Sequence, residues 1–130
     1  KLKADFLANT PALKTLRTRV EGASRRGYIK GLDGRQIPVR SAHSALNFLL
    51  QSAGAIIAKR AWIIFHNKCK LPFKQLGVIH DEIQVECRPE DAEEIGQCIV
   101  DSMKATTDYY KLRCPIDGEY KIGRDWNETH

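Results

Sequence analysis

The chain has 130 residues, 42% of them apolar, which is the size of one ordinary domain with a small core and too short for two autonomous ones. Twenty-one Lys and Arg against sixteen Asp and Glu leave a formal charge of +5, which favours polyanionic partners without proving one. Cys69, Cys87, Cys98 and Cys114 lack the short paired spacing of zinc sites and read as reduced core cysteines of a cytosolic-type protein.

The opening Lys1-Leu2-Lys3-Ala4-Asp5 has no apolar run behind its basic start, unlike a signal peptide, and the missing methionine suggests a piece of a longer chain. Thr10-Pro11 offers an N-cap and a proline at the first helical position, and Leu13, Leu16 and Val20 follow at helical spacing, so a basic helix is expected over 10–20. Gly22 to Gly27 reads as a loop carrying Arg25 and Arg26. A hairpin follows over 28–39, turning at Asp33-Gly34, with Pro38 marking an exposed edge. Over 41–67 apolar residues recur three and four apart, from Ala42, Ala45 and Leu46 to Ile64 and Phe65, which predicts a long, largely buried helix. Its first part, Ser41 to Ala58, has no charge, but His43, Asn47, Gln51 and three serines argue against a membrane span.

Leu76 to Ile79 form a further apolar run that breaks at His80-Asp81, after which Ile83, Val85 and Cys87 alternate with Glu82, Gln84 and Glu86. A second hairpin over 76–87 is expected. Pro89, Glu90, Asp91, Glu93 and Glu94 suit the positive end of a helix over 90–107, with Ala92, Ile95, Ile99 and Met103 as its apolar stripe. Alternating Ile116, Gly118, Tyr120 and Ile122 suggest a last strand within 114–130. The expected class is α+β, a small antiparallel sheet of the second hairpin and the C-terminal strand packed against helices.

The second hairpin presents His80, Asp81 and Glu82 at its tip, held by apolar strands on both sides. Two adjacent carboxylates and an imidazole on a rigid scaffold suit a catalytic cleft, although an aspartate in a tight turn is also a common surface feature. His43, Asn47 and Gln51 stand four apart and line one drifting stripe of the long helix. Uncharged donors suit the DNA minor groove, where purine N3 and pyrimidine O2 offer acceptors at similar positions whatever the base pair. Lys30, Arg35, Arg40, Lys59 and Arg60 are candidates for phosphate contacts that hold a duplex without reading it.

The segment Val78-Ile79-His80-Asp81-Glu82-Ile83-Gln84-Val85 resembles the His-Asp-Glu motif on the palm hairpin of family A DNA polymerases. Tyr28 to Arg35, Ala45-Leu46-Asn47, Leu50 to Ala55, and Gly123 through Trp126 to His130 are similar to the phage branch of that family, in the same order over nearly the whole chain. The resemblance implies a palm-like fold and template-directed transfer of dNTPs to a primer 3′-hydroxyl by two Mg2+ ions. It makes Asp81 a metal ligand and catalytic residue, with Glu82 supporting the site and His80 near the primer terminus. His43, Asn47 and Gln51 would meet the terminal base pairs of primer-template DNA, although many bacterial relatives carry arginine where this chain has His43. A cytoplasmic setting in a bacterial or phage-infected cell, with no membrane partner, goes with it.

Two elements of such an active site are missing: a second palm aspartate, within a motif of the form Asp-x-Ser-x-Ile-Glu-x-Arg, and a fingers helix with lysine and tyrosine for the incoming nucleotide. The resemblance therefore covers half an active site, and the upstream remainder of the polymerase domain is the implied partner. Either the chain is the C-terminal part of a working polymerase, or it is a non-catalytic DNA-binding fragment or remnant of one. A metal-dependent nuclease is a weaker third reading, since a second carboxylate cluster is lacking.

Overall fold

The computed structural model describes residues 2–129, with side chains from Asp5 onward. In chain order the elements are α1 (Leu2–Asn9), α2 (Pro11–Ser24), β1 (Tyr28–Lys30), β2 (Gln36–Pro38), α3 (Ala42–Lys68), β3 (Phe73–Ile79), β4 (Glu82–Cys87), α4 (Ala92–Tyr110) and α5 (Trp126–Thr129). This is an α+β fold in which β1 pairs with β2 and β3 with β4 in separate antiparallel sheets. The chain forms two compact units that divide between Ala53 and Gly54, within α3. At 27 residues that helix is about 40 Å long.

In the first unit, Pro11 starts α2 as expected, but the Thr10 hydroxyl donates to the Phe6 carbonyl at 2.7 Å instead of capping α2. That bond closes α1, a helix without a clear apolar stripe to announce it. Gly27, at φ 82, turns the chain out of α2, and its amide donates to the Ser24 carbonyl at 2.8 Å. β1 and β2 then pair Tyr28 with Pro38, Ile29 with Ile37 and Lys30 with Gln36. Gly34, at φ 83, makes the turn between them. Val20, Ile29, Val39 and Ala45 form the buried core, with Ala23, Ile37 and Leu49 packed against it.

The second unit is anchored by aromatic rings. Phe65 of α3 is fully buried with its ring tilted 40° against that of Phe73 of β3 at 4.7 Å between centroids, and Trp62 lies 5.4 Å from Phe65 and 6.1 Å from Phe73. A 3-10 turn at Pro89–Asp91 leads into α4, and Arg88 bridges to the buried Asp91 at 2.8 Å. Ile95, Ser102 and Thr106 are the most buried residues of α4. The two hydroxyls there donate to the Cys98 and Met103 carbonyls, which satisfies them inside the helix.

Three expectations need correction. The segment 114–125 contains no strand. It lies along α4 instead: the Ile116 amide donates to Thr107 Oγ1 at 2.8 Å, Lys104 reaches Asp117 at 3.4 Å, and the Tyr120 hydroxyl donates to Glu93 at 2.6 Å. Alternation shows only that one side of an extended segment is covered, and here a helix covers it where a ladder would need a neighbouring strand. Nor is α3 largely buried: Ala45, Ile56, Ala58, Ala61 and Phe65 are buried, while Phe48, Leu50 and Ile63 are 40%, 55% and 46% exposed. Each unit is too small to surround its half of the helix. Finally, three of the cysteines are half-buried and Cys114 is exposed, so none is a true core residue. By length and composition α3 could cross a membrane, but it carries Lys59, Arg60 and the polar stripe.

Candidate functional site

The β3–β4 hairpin is shaped by one extra residue. Gln75 pairs with Val85 and Gly77 with Gln84, so Leu76 bulges from β3 without a partner. Beyond the bulge the alternation of β3 is inverted. Phe73, Gln75 and Val78 share a face with Cys87, Val85 and Ile83, while Lys74, Gly77 and Ile79 share the other with Glu86, Gln84 and Glu82. The first face meets α3 through Phe73. On the second, Lys74 bridges to Glu86 at 3.1 Å and Gln84 Nε2 donates to Glu82 Oε2 at 3.3 Å. The bulge was missed from sequence, although a lone glycine within an apolar strand, Gly77, is its usual signal.

Ile79 pairs with Glu82, so His80 and Asp81 are the two central residues of a tight turn. His80 has φ 55, the sign that the first central position of a primed hairpin turn demands. Glycine normally takes that position, and a side chain there costs about 1–2 kcal/mol. Strain of this kind is characteristic of functional sites. His80 and Asp81 are exposed, and neither side chain has a hydrogen bond or ion pair among the described residues. Glu82 is half-buried at the root of the turn. The tip thus brings an unpaired carboxylate, a second carboxylate and an imidazole together.

His43, Asn47 and Gln51 are all exposed on α3, in the first unit. His43 and Asn47 line an open cleft of about 370 Å³ whose walls include Phe6, Leu7, Leu13 and Leu50. Among the basic candidates, Lys30 ends β1 and Arg40 follows β2, both exposed. Arg35 is engaged locally: its guanidinium lies 2.7 Å from Asp33 and holds that carboxyl below the usual carboxylate range. Arg60 lies 4.1 Å over the Tyr109 ring, with its charged form strengthened by a hydrogen bond to Tyr110, so it is committed to α4.

Donor chemistry at the tip suits Mg2+, which takes oxygen ligands and commonly only one or two carboxylates from the protein. Donor number does not suffice for a complete site: among the described residues no group of three or more His, Cys, Asp or Glu could hold a metal ion.

Comparison with known proteins decides the family. The model of DNA polymerase family A matches residues 5–128. The chain belongs to DNA polymerase family A. It is similar to the DNA-directed DNA polymerase of Enterobacteria phage T3, 40% identical over 99% of this chain and 22% of the relative. It is also similar to DNA polymerase I of Aquifex aeolicus, 31% identical over 98% of this chain and 23% of that protein. The polymerase domain of Pol1 from M. smegmatis, solved with DNA primer-template and dNTP, shares its fold, with a TM-score of 0.75 at 21% identity over 95% of this chain and 24% of that one. The chain therefore spans under a quarter of the length of these family A relatives.

Proposed function

We propose that this chain is the C-terminal part of a DNA-directed DNA polymerase, supplying one catalytic aspartate and the helix that tests the primer-template minor groove. The observation that carries this reading is the hairpin tip of a family A chain, with an unpaired Asp81 beside Glu82 on a turn strained at His80. Asp81 would hold Mg2+ together with an aspartate from the upstream polymerase domain, and Glu82 would add negative charge and be oriented by Gln84. Bound there, the two ions would lower the pKa of the primer 3′-hydroxyl and offset charge on the leaving pyrophosphate of a dNTP. His80 would donate to a phosphate near the primer terminus.

Along α3, Asn47 and Gln51, with His43 at their N-terminal side, would donate to acceptors shared by all base pairs, sensing pair geometry without reading sequence. Lys30 and Arg40 remain candidates for phosphate contacts, and Arg35 would first have to leave Asp33. The phage and bacterial relatives suit an enzyme working in the cytoplasm of a bacterial or phage-infected cell. Among the described residues no group of three or more His, Cys, Asp or Glu could hold a metal ion, which favours the alternative of a DNA-binding fragment wherever the upstream part is absent.

The test is Asp81→Asn in the complete polymerase. Single-turnover incorporation is expected to fall by about a hundredfold or more, as when a charge-stabilising group is removed from an active site. Primer-template affinity should stay within about threefold, since the DNA contacts are elsewhere. Glu82→Gln should cost less. An unchanged single-turnover rate in Asp81→Asn would show the metal assignment to be wrong.

A further inference from the structure

Three of the four cysteines converge in the second unit. Cys69 directly follows α3, with its amide bonded to the Phe65 carbonyl at 2.8 Å and its thiol 3.8 Å from the Leu71 carbonyl. Lys68 reaches Asp101 at 3.9 Å, so the end of α3 stands beside the middle of α4. Cys98 lies one turn before Asp101 on the same side of α4. Its thiol neighbours the Cys69 thiol and the Lys68 ammonium closely enough for both to act on its charge. Cys87 approaches from β4, where it is paired with Phe73, and its electrostatic neighbours are Asp91 and Cys69. All three are free thiols, and among the described residues no cluster of this kind could hold a metal ion.

We propose that Cys69 and Cys98 are a reversible disulfide-forming pair, a modification site for low-molecular-weight disulfides of the glutathione class. One thiolate attacks the small disulfide RSSR, forming a mixed disulfide and releasing RS⁻. The second thiolate then displaces the other RS⁻, leaving a Cys69–Cys98 bond. The two cysteines are oxidised, the small disulfide is reduced to two RSH, and the two cysteine protons end on those thiols. At Cys98 the Lys68 ammonium offsets part of the upward push from burial and from Cys69, whereas at Cys87 the Asp91 carboxylate adds to that of burial. Burial also pushes the Cys87 and Cys98 thiols up, which makes the reaction slow and dependent on an excess of oxidant. The bond would close a loop that contains the whole β3–β4 hairpin, so oxidation braces the element that carries Asp81.

The experiment treats the protein carrying this chain with oxidised glutathione and maps its peptides without reduction. A Cys69–Cys98 cross-linked peptide lacking two hydrogens is expected, with a thermal midpoint raised by several degrees, and dithiothreitol should reverse both. Cys87→Ser should keep the cross-link and Cys69→Ser should lose it. Mapping of the unsubstituted protein alone can overturn the proposal: glutathione retained on Cys69 or Cys98 with no cross-link, or a cross-link made through Cys87, would do so.

Discussion

His80 concentrates the conflict between stability and use. Its φ of 55 fits a histidine less well than a glycine, yet the turn has only His80 and Asp81 between paired Ile79 and Glu82, so one residue must bend this way for the strands to meet. Had the turn evolved for stability, glycine at this position would relieve the strain. His80→Gly should therefore leave the thermal midpoint unchanged or raise it, by an amount corresponding to at most about 1 kcal/mol. In the complete polymerase the same change should lower primer extension if His80 is the donor proposed near the primer terminus. Thermal melting and steady-state extension on one preparation separate the two effects. Undiminished extension would reduce His80 to a turn residue.

At the scale of elements, the tail strap along α4 depends on a single glycine. A Cβ at Gly96 would sit 2.5 Å from the Tyr120 ring, inside van der Waals contact. Alanine in mid-helix normally stabilises by about 1 kcal/mol over glycine, but here Gly96→Ala should lower the thermal midpoint by displacing the ring. In a Tyr120→Ala background the same change should raise it, and destabilisation in both backgrounds would rule out the ring contact as the cause. The strap also has a pH signature. The Glu93 carboxylate that accepts from the Tyr120 hydroxyl raises the phenol above its usual range. A raised folded value means that this contribution is complete below the unfolded value of about 10 and is lost as pH climbs through the folded one.

Elements with strong local signals were legible: both hairpins, α3 and α4 occur close to where periodicity and turn residues put them, and so does α2, except that it runs on through Gly22 to Ser24, residues expected as loop. The strand expected at Ile116 to Ile122 was not, because alternation does not say whether a strand or a helix lies alongside. The exposure of α3 was equally hidden, since apolar spacing shows which residues could be covered and is silent about what covers them. At the candidate site, sequence marked His80, Asp81 and Glu82. It could not reveal the Leu76 bulge that sets which residues share their face, or the commitment of Arg35 and Arg60 to local partners.

For the molecule as a whole, charge and apolar exposure both point outside the chain. Residues up to Ala53 carry ten Lys and Arg against three Asp and Glu, whereas those from Gly54 carry eleven against thirteen. The mild net charge thus conceals one strongly basic unit, the one that carries the polar stripe of α3, and a positive face of this kind suits the phosphate contacts proposed for it. Phe6 and Leu50, 56% and 55% exposed, line the same open cleft as His43 and Asn47. The inventory of acidic groups agrees, because among the described residues no group of three or more His, Cys, Asp or Glu could hold a metal ion. The 130-residue chain alone is accordingly expected to extend no primer, even where circular dichroism shows its helices formed. Mixing it with the separately produced upstream polymerase domain should restore template-directed incorporation, and Asp81→Asn in the mixture should abolish the restored activity. Incorporation by the folded chain on its own would mean that a complete metal site is built within these residues, and the half-site reading would fall.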